Sequence, residues 1–466
     1  MALLAVVLST DAVAAGSANT GAARADAMVA PAARAPAAPA LTTPVRSAPA
    51  VEIAGFAVLP AATFGPGPAS GQYDGDGRRA AAPRFAAQPV QGLSAVQPGP
   101  DPGTWWGLSD NGYGTRWNSF DFRLVIHLFA ARPDAREVRV LRRIELHDPA
   151  QQFPWRLADE NLAGRPLTGA DVDPESLVVM PDGSFWIGDE IGPWLLHFSA
   201  DGALLAPPVE LPAELPVKTA SRTTGEASAA GFSLSATTPA AAVRDDGLLR
   251  SASHPLVLAG RATSRIRASK GFESLAPLRR ADGTTTLLAM LEGTVEGDPP
   301  GVLRLAEFDP ATNRWSGRQW RYRMQDPAHA VAELAGAPAR HSAPRTGVAS
   351  RHFALIERDD LQGDAARFKQ VLAIDLETPD DAGWLRGRPL VDLLAIPDPR
   401  GRAGLGPTFR LPYWTPEGLL FVDARTLLVV VDNNFPAAGG RNATDSDPTE
   451  WIWVRSRRAS GFAGAP

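Results

Sequence analysis

Cysteine is absent from the 466-residue chain, which excludes disulfides, thiolate nucleophiles and thiolate-ligated zinc or iron–sulfur centres. Histidine is scarce. The seven, at positions 127, 147, 197, 254, 329, 341 and 352, are scattered with no pair at ligand spacing, so a histidine-based metal centre is not expected. No Gly-x-Ser-x-Gly turn marks a serine hydrolase and no Gly-x-x-x-x-Gly-Lys-Ser/Thr loop marks a nucleotide site. No run approaches the ~20 apolar residues of a membrane span. A net charge of −5 without a clustered basic surface gives nucleic-acid binding no support.

Glycine and proline are plentiful, 43 of each, and imply many turns. Twelve Trp against four Tyr point to rigid aromatic filling between sheets. Residues 1–15 read as a shortened secretory leader: an apolar core followed by Ala12-Val13-Ala14-Ala15, without the usual basic start and with Asp11 out of place. A secreted or periplasmic protein is expected. Residues 16–50, rich in Ala, Pro, Thr and Ser, cannot bury enough surface to order themselves and read as a linker. A folded domain is expected over 51–458, with an Ala/Ser/Thr-rich insertion at 216–253 and a tail at 459–466. Short strands dominate it, and the best helix candidate is Asp326–Leu334.

The chain repeats itself. Gln91-Gly92-Leu93 leads to Ser109-Asp110-Asn111, Glu175-Ser176-Leu177 to Gly188-Asp189-Glu190, Glu273-Ser274-Leu275 to Leu291-Glu292-Gly293, and Glu417-Gly418-Leu419 to Val431-Asp432-Asn433. Ile356-Glu357-Arg358-Asp359 matches the second half of the unit alone. Repeated antiparallel strands with few helices favour an all-β propeller, here of six or alternatively seven blades, its ring closed by pairing Val51–Leu59 with Trp451–Val454. A residue recurring once per repeat then points at the central channel.

Carboxylates brought together there repel unless some protonate or a cation joins them. Oxygen-rich sets of this kind suit calcium. The candidate ligands are Asp110, Glu175, Asp189, Glu273, Glu292, Glu357, Glu417 and Asp432, with Asn433 as a neutral oxygen beside Asn111 and Asn434. The plainer reading is that each acid binds backbone N–H groups of its own blade. Glu190 is unmatched by an acid elsewhere and reads as a specialist. Asp74-Gly75-Asp76-Gly77 lacks the later Glu of a calcium loop and reads as a turn.

Over roughly 52–456 the chain resembles the phytase-like family of secreted bacterial proteins, described as "esterase-like activity of phytase". The resemblance rests on Asp173-Pro174-Glu175-Ser176 with Gly188-Asp189-Glu190, on Gly271-Phe272-Glu273-Ser274, and on Ile356-Glu357-Arg358-Asp359 with Ala366-Arg367-Phe368-Lys369. It rests also on Glu417-Gly418, Asp432-Asn433-Asn434-Phe435-Pro436 and Asp447-Pro448-Thr449-Glu450. It implies a β-propeller that hydrolyses a small phosphoester, by analogy with calcium-dependent propeller phytases; a monomer is expected. Catalytic roles then fall to Glu175, Glu190, Glu357 and Arg358, and substrate binding to Lys270, Arg358 and Arg367; Lys369 and Arg441 read as ordinary ion-pair residues. Alternatives are a propeller esterase or lactonase with one central calcium and a Trp-lined mouth (Trp186, Trp194, Trp414), or a non-catalytic binding propeller with structural calcium.

Overall fold

Strands too short to fold alone can bury both faces if they stack as small sheets around an axis, and the chain does this. A computed structural model describes residues 51–215, 246–280, 282–338, 351–458 and 461–462. The expected leader and linker (1–50), most of the expected insertion (216–245) and most of the tail lie outside the described residues.

From the axis outward, blade one comprises Leu93–Pro98, Thr104–Ser109, Val125–Arg132 and Glu137–Glu145. Blade two comprises Pro174–Val179, Phe185–Asp189, Trp194–Phe198 and Val209–Glu210. Blade three holds Phe272–Arg279, Thr285–Leu291, Val302–Asp309 and Arg314–Arg323, edged by Leu385–Arg386. Blade four holds Ala330–Gly336, His352–Arg358, Lys369–Asp375 and Arg388–Asp392. Blade five runs Thr415–Asp423, Thr426–Asp432, Thr449–Ser456 and, outermost, the chain's first described strand Val51–Leu59. That strand pairs antiparallel with Thr449–Ser456, from Val51↔Ser456 to Leu59↔Thr449, which is the closure the sequence implied. Each innermost strand packs against the next, and the fifth against the first.

Among the described residues the propeller closes with five blades, not the six or seven expected. Long connections such as 60–92 and 146–173 take up chain without adding a blade.

Five seams separate five blades, and an apolar cluster fills each. Successive strand residues face opposite sides, so Phe185 and Ile187 join Trp106, Ile126 and Leu177 between blades one and two. Trp186 instead joins Leu195, Phe272 and Leu287 between two and three. Leu288, Leu305, Tyr322 and Leu355 fill the next seam, then Ile53, Phe56, Val371 and Val429, and finally Phe129, Val430, Trp451 and Trp453. This is why the inner strands read as continuous apolar runs.

The expected helix Asp326–Leu334 is not formed. Ala330–Gly336 is the innermost strand of blade four, buried from Ala330 to Ala335, and Asp326 caps a turn by accepting from Ala328 N at 2.9 Å. Apolar residues on both sides of a strand had imitated a helical stripe. Among the described residues the one α-helix is Pro255–Leu258, and no helix is long and apolar enough to cross a membrane. Asp74 accepts from Asp76 N and Arg78 N at 3.0 and 2.9 Å, an ordinary turn.

Candidate metal centre

The centre is built from one irregularity repeated five times. Near the start of each innermost strand the register slips. Pro174 pairs with Asp189 but Ser176 with Gly188, leaving Glu175 as the extra residue. The same slip isolates Glu273 in blade three, Glu417 in blade five and Ser94 in blade one. In blade four Val331 pairs with Glu357 and Leu334 with Leu355, so Ala332 and Glu333 form the bulge. A bulge re-aims its side chain out of the alternating pattern, and here it brings Glu175, Glu273, Glu333 and Glu417 into one electrostatic set. Ser94 takes the fifth position and donates to Glu417 Oε2 at 3.1 Å.

A second set follows the next strand. Asp110, Glu190 and Glu292 extend the ladder by one residue, their N–H groups donating to Gly92, Asp173 and Gly271 carbonyls at 2.8, 3.0 and 2.9 Å. Asp432 pairs likewise with Thr415, and Arg358 with Ala330. Four blades thus deliver an acid and blade four delivers Arg358. Gly271 makes one of these approaches possible, since a Cβ there would lie 2.6 Å from the Glu190 carbonyl oxygen.

Nine carboxyl groups result, eight of them buried (Asp173, Glu175, Glu190, Glu273, Glu292, Glu333, Glu417 and Asp432) and Asp110 half-buried. Two cations accompany them. Lys270 is ion-paired to Glu292, and Arg358 Nη2 lies 3.7 Å from Glu417 and 3.9 Å from Glu292. Burial, then Asp173 and Glu273, raises the Glu175 pKa well above the carboxylate range. Burial and then Glu292 act likewise on Glu190 and Glu273, and burial with Asp432 on Asp110. Glu417 is pushed up to about 8 by burial and Asp432, and Asp432 to about 6, mainly by burial. For Arg358 burial opposes the charge, but Glu292, Glu417 and Glu273 outweigh it and its pKa is raised.

The oxygens are arranged to share an ion. Asp173, Glu175 and Glu190 each place one within 4.8 Å of the others, and so do Glu190, Glu273 and Glu292. Oxygens bound to one calcium at 2.3–2.6 Å lie at most about 5 Å apart, so either triad fits such an ion. Among the described residues, Glu190 Oε1, Glu292 Oε1 and both Glu333 oxygens are buried without a hydrogen-bond partner, a costly state for a carboxylate.

Several expected residues stand elsewhere. Glu357 accepts from Tyr322 OH at 2.6 Å and Gln325 N at 2.7 Å, with His329 Nδ1 at 2.7 Å; these fixed partners hold it apart from the acids. Asp189 accepts from Asp173 N and Gly192 N at 2.8 and 2.5 Å and binds its own blade, burial raising its pKa to about 8. The repeat therefore runs through Glu190, which is matched by Asp110, Glu292 and Asp432, rather than through Asp189. Asn433 accepts weakly from Gly92 N at 3.4 Å and donates to Asp447 O at 2.8 Å, while Asn111 Oδ1 accepts from Gly114 N at 2.8 Å. Arg367 is exposed and donates to the Asp364 and Ala366 carbonyls. Lys369 is buried on Asp359 and the Trp414 carbonyl, and Arg441 pairs with Glu450 through two bonds, both as ion-pair residues. Gln91 donates to Gly112 O at 2.6 Å and stands outside the bulge series.

A family model described as "esterase-like activity of phytase" matches residues 88–435. The chain belongs to the phytase-like family. The matched span contains all five innermost strands and every acid of the centre; of the blade strands, the two that close the phytase-like ring fall outside it. A search of curated proteins finds no match. Solved structures similar to this phytase-like chain include a luciferin-regenerating enzyme, at 10% identity over 89% of this chain and 97% of that one, with a TM-score of 0.35. Another is a GH43 β-1,3-galactosidase with galactodeoxynojirimycin, at 9% identity over 85% and 94%, TM-score 0.37. A third is regucalcin, a calcium-binding protein from Agrobacterium tumefaciens, at 11% identity over 79% and 93%, TM-score 0.32. Overlaps this loose carry no weight for the activity or the site.

Proposed function

We propose that this phytase-like propeller is an exported, calcium-dependent hydrolase of small phosphoesters. The observation that carries the reading is the pair of oxygen-only triads meeting at Glu190, whose Oε1 is buried and unpartnered. The carboxylates of one or other triad, Asp173, Glu175 and Glu190 or Glu190, Glu273 and Glu292, would hold the metal. Bound calcium would offset phosphate charge and lower the pKa of a coordinated water. The chain's own part is to gather cations beside that position. Lys270 and Arg358 converge on Glu292 from two blades, and Arg358 Nε is buried without a partner. An anion drawn in against Glu292 would find donors already assembled, with Arg358 offering Nε and Nη2 while its Nη1 donates to Asp360 Oδ1 at 2.7 Å. The leader-like stretch 1–15 supports an exported setting, where calcium is abundant.

An ester- or lactone-cleaving site with an aromatic mouth is disfavoured, because Trp186 and Trp194 are buried in seams and Trp414 alone of the three is exposed. A purely structural calcium centre leaves the buried, unpartnered Nε of Arg358 without a use.

The test is hydrolysis of phosphomonoesters and aryl carboxylic esters by the purified chain, with calcium and with chelator. Phosphatase activity lost on chelation and restored by calcium is expected, with Glu190→Gln inactive but folded. Arg358→Met is expected to lower kcat/KM by about 10²-fold. Phosphatase activity that survives exhaustive chelation overturns the reading.

A further inference from the structure

The two triads share Glu190 but differ in what already touches them. No lysine or arginine among the described residues lies within ion-pair distance of Asp173, Glu175 or Glu190. Asp173 is held instead by Asn111, through its N–H at 3.2 Å and its Nδ2 at 2.7 Å. The second triad is occupied in part. Lys270 Nζ sits on Glu292 Oε2, and Arg358 Nη2 approaches Glu292 Oε1.

The backbone keeps Lys270 there. Gly293 N donates to Lys270 O at 3.1 Å, and Glu292 N to Gly271 O at 2.9 Å, so Lys270 lies directly across from the Glu292–Gly293 pair. A Cβ on Gly293 would lie 2.7 Å from Lys270 Cβ, so glycine leaves room for the lysine stem. The side chain is 30% exposed and Glu292 3%, which places the ammonium between solvent and the buried oxygens.

We propose that Lys270 is a tethered cation serving the Glu190–Glu273–Glu292 triad, so that a calcium ion loads the Asp173–Glu175–Glu190 triad alone. This deepens the calcium reading and rests on it. An ammonium fixed to the same strand start competes at a high effective concentration. A divalent ion among Glu190, Glu273 and Glu292 would also meet its positive charge at close range, in a buried setting where screening is weak. The centre then combines one exchangeable divalent ion with two fixed monovalent cations, Lys270 and Arg358, a set suited to a phosphate group that must enter and leave.

The experiment is calcium stoichiometry on the full chain, by titration calorimetry and equilibrium dialysis, with circular dichroism as the check on folding. One ion per chain is expected for the wild type and for Lys270→Arg, two for Lys270→Met, and none for Glu175→Gln. Two ions on the wild type, or a folded Lys270→Met that still takes one, overturns the role of Lys270 and leaves the calcium reading standing. No calcium on any variant overturns both. Should Lys270→Met fail to fold, Glu175→Gln decides: calcium still bound at one equivalent would mean that the second triad is open and the proposal wrong.

Discussion

Glu333 is 1% exposed with neither carboxylate oxygen hydrogen-bonded, and burial, then Glu273, raises its pKa well above the usual range. Burial likewise raises Glu175, Glu190 and Glu273 and so favours their protonated forms when no metal is bound. The pH dependence follows. Glu417 titrates at about 8 when folded and near 4.3 when unfolded, so the folded chain binds more protons between those values. Asp189 at about 8 and Asp432 at about 6 act in the same direction. Stability in chelator is therefore expected to fall as pH rises from about 4 to 8. Burial raises the pKa of Asp173, Glu175 and Glu190 too, and because bound metal favours their deprotonated forms the fall is expected to be smaller in saturating calcium. Denaturant midpoints measured across this range, with and without calcium, check it; equal slopes in both would contradict a shared ion.

At the scale of the element, the bulge explains both what the sequence revealed and what it concealed. Glu175, Glu273 and Glu417 were legible because each stands before a small residue and an apolar strand. Ser94 was not, since a hydroxyl in place of a carboxylate breaks the pattern, and Gln91 three residues earlier imitated it. Glu333 was lost when its strand was read as a helix. The exchange of Asp189 and Glu190 has the same root: one inserted residue reverses which side chains face the axis, and counting along the chain cannot locate the insertion. Gly271→Ala tests the element directly. Its Cβ would meet the Glu190 carbonyl oxygen at 2.6 Å, and overpacking of this kind costs about 1–3 kcal/mol. Reduced stability, with calcium affinity falling alongside it, is the expected outcome. Unchanged calcium affinity at reduced stability would separate the bulge from the site.

For the whole molecule, what matters is closure. Phe56 is 3% exposed in the seam between blades four and five, its ring 5.7 Å from Phe409, and it belongs to the strand that completes blade five. Phe56→Ala is expected to cost about 3–5 kcal/mol and to promote association through the loosened strand edge. Chemical denaturation and light scattering measure the two effects. The all-β class and the pairing of first and last strands were readable because their apolar runs stand alone at the two ends of the domain. Blade number was not, because a turn within a blade and a connection between blades use the same residues.

The same closure sets an order of events in synthesis. The strand at Val51–Leu59 emerges from the ribosome hundreds of residues before its partner at Thr449–Ser456, so no portion of the nascent chain can complete the ring. The carboxyl cluster is likewise unfinished until Glu417 and Asp432 have been made. Such long-range pairing is slow and leaves strand edges open in the interim. Ring closure therefore waits for Thr449–Ser456, where the first described strand meets the last.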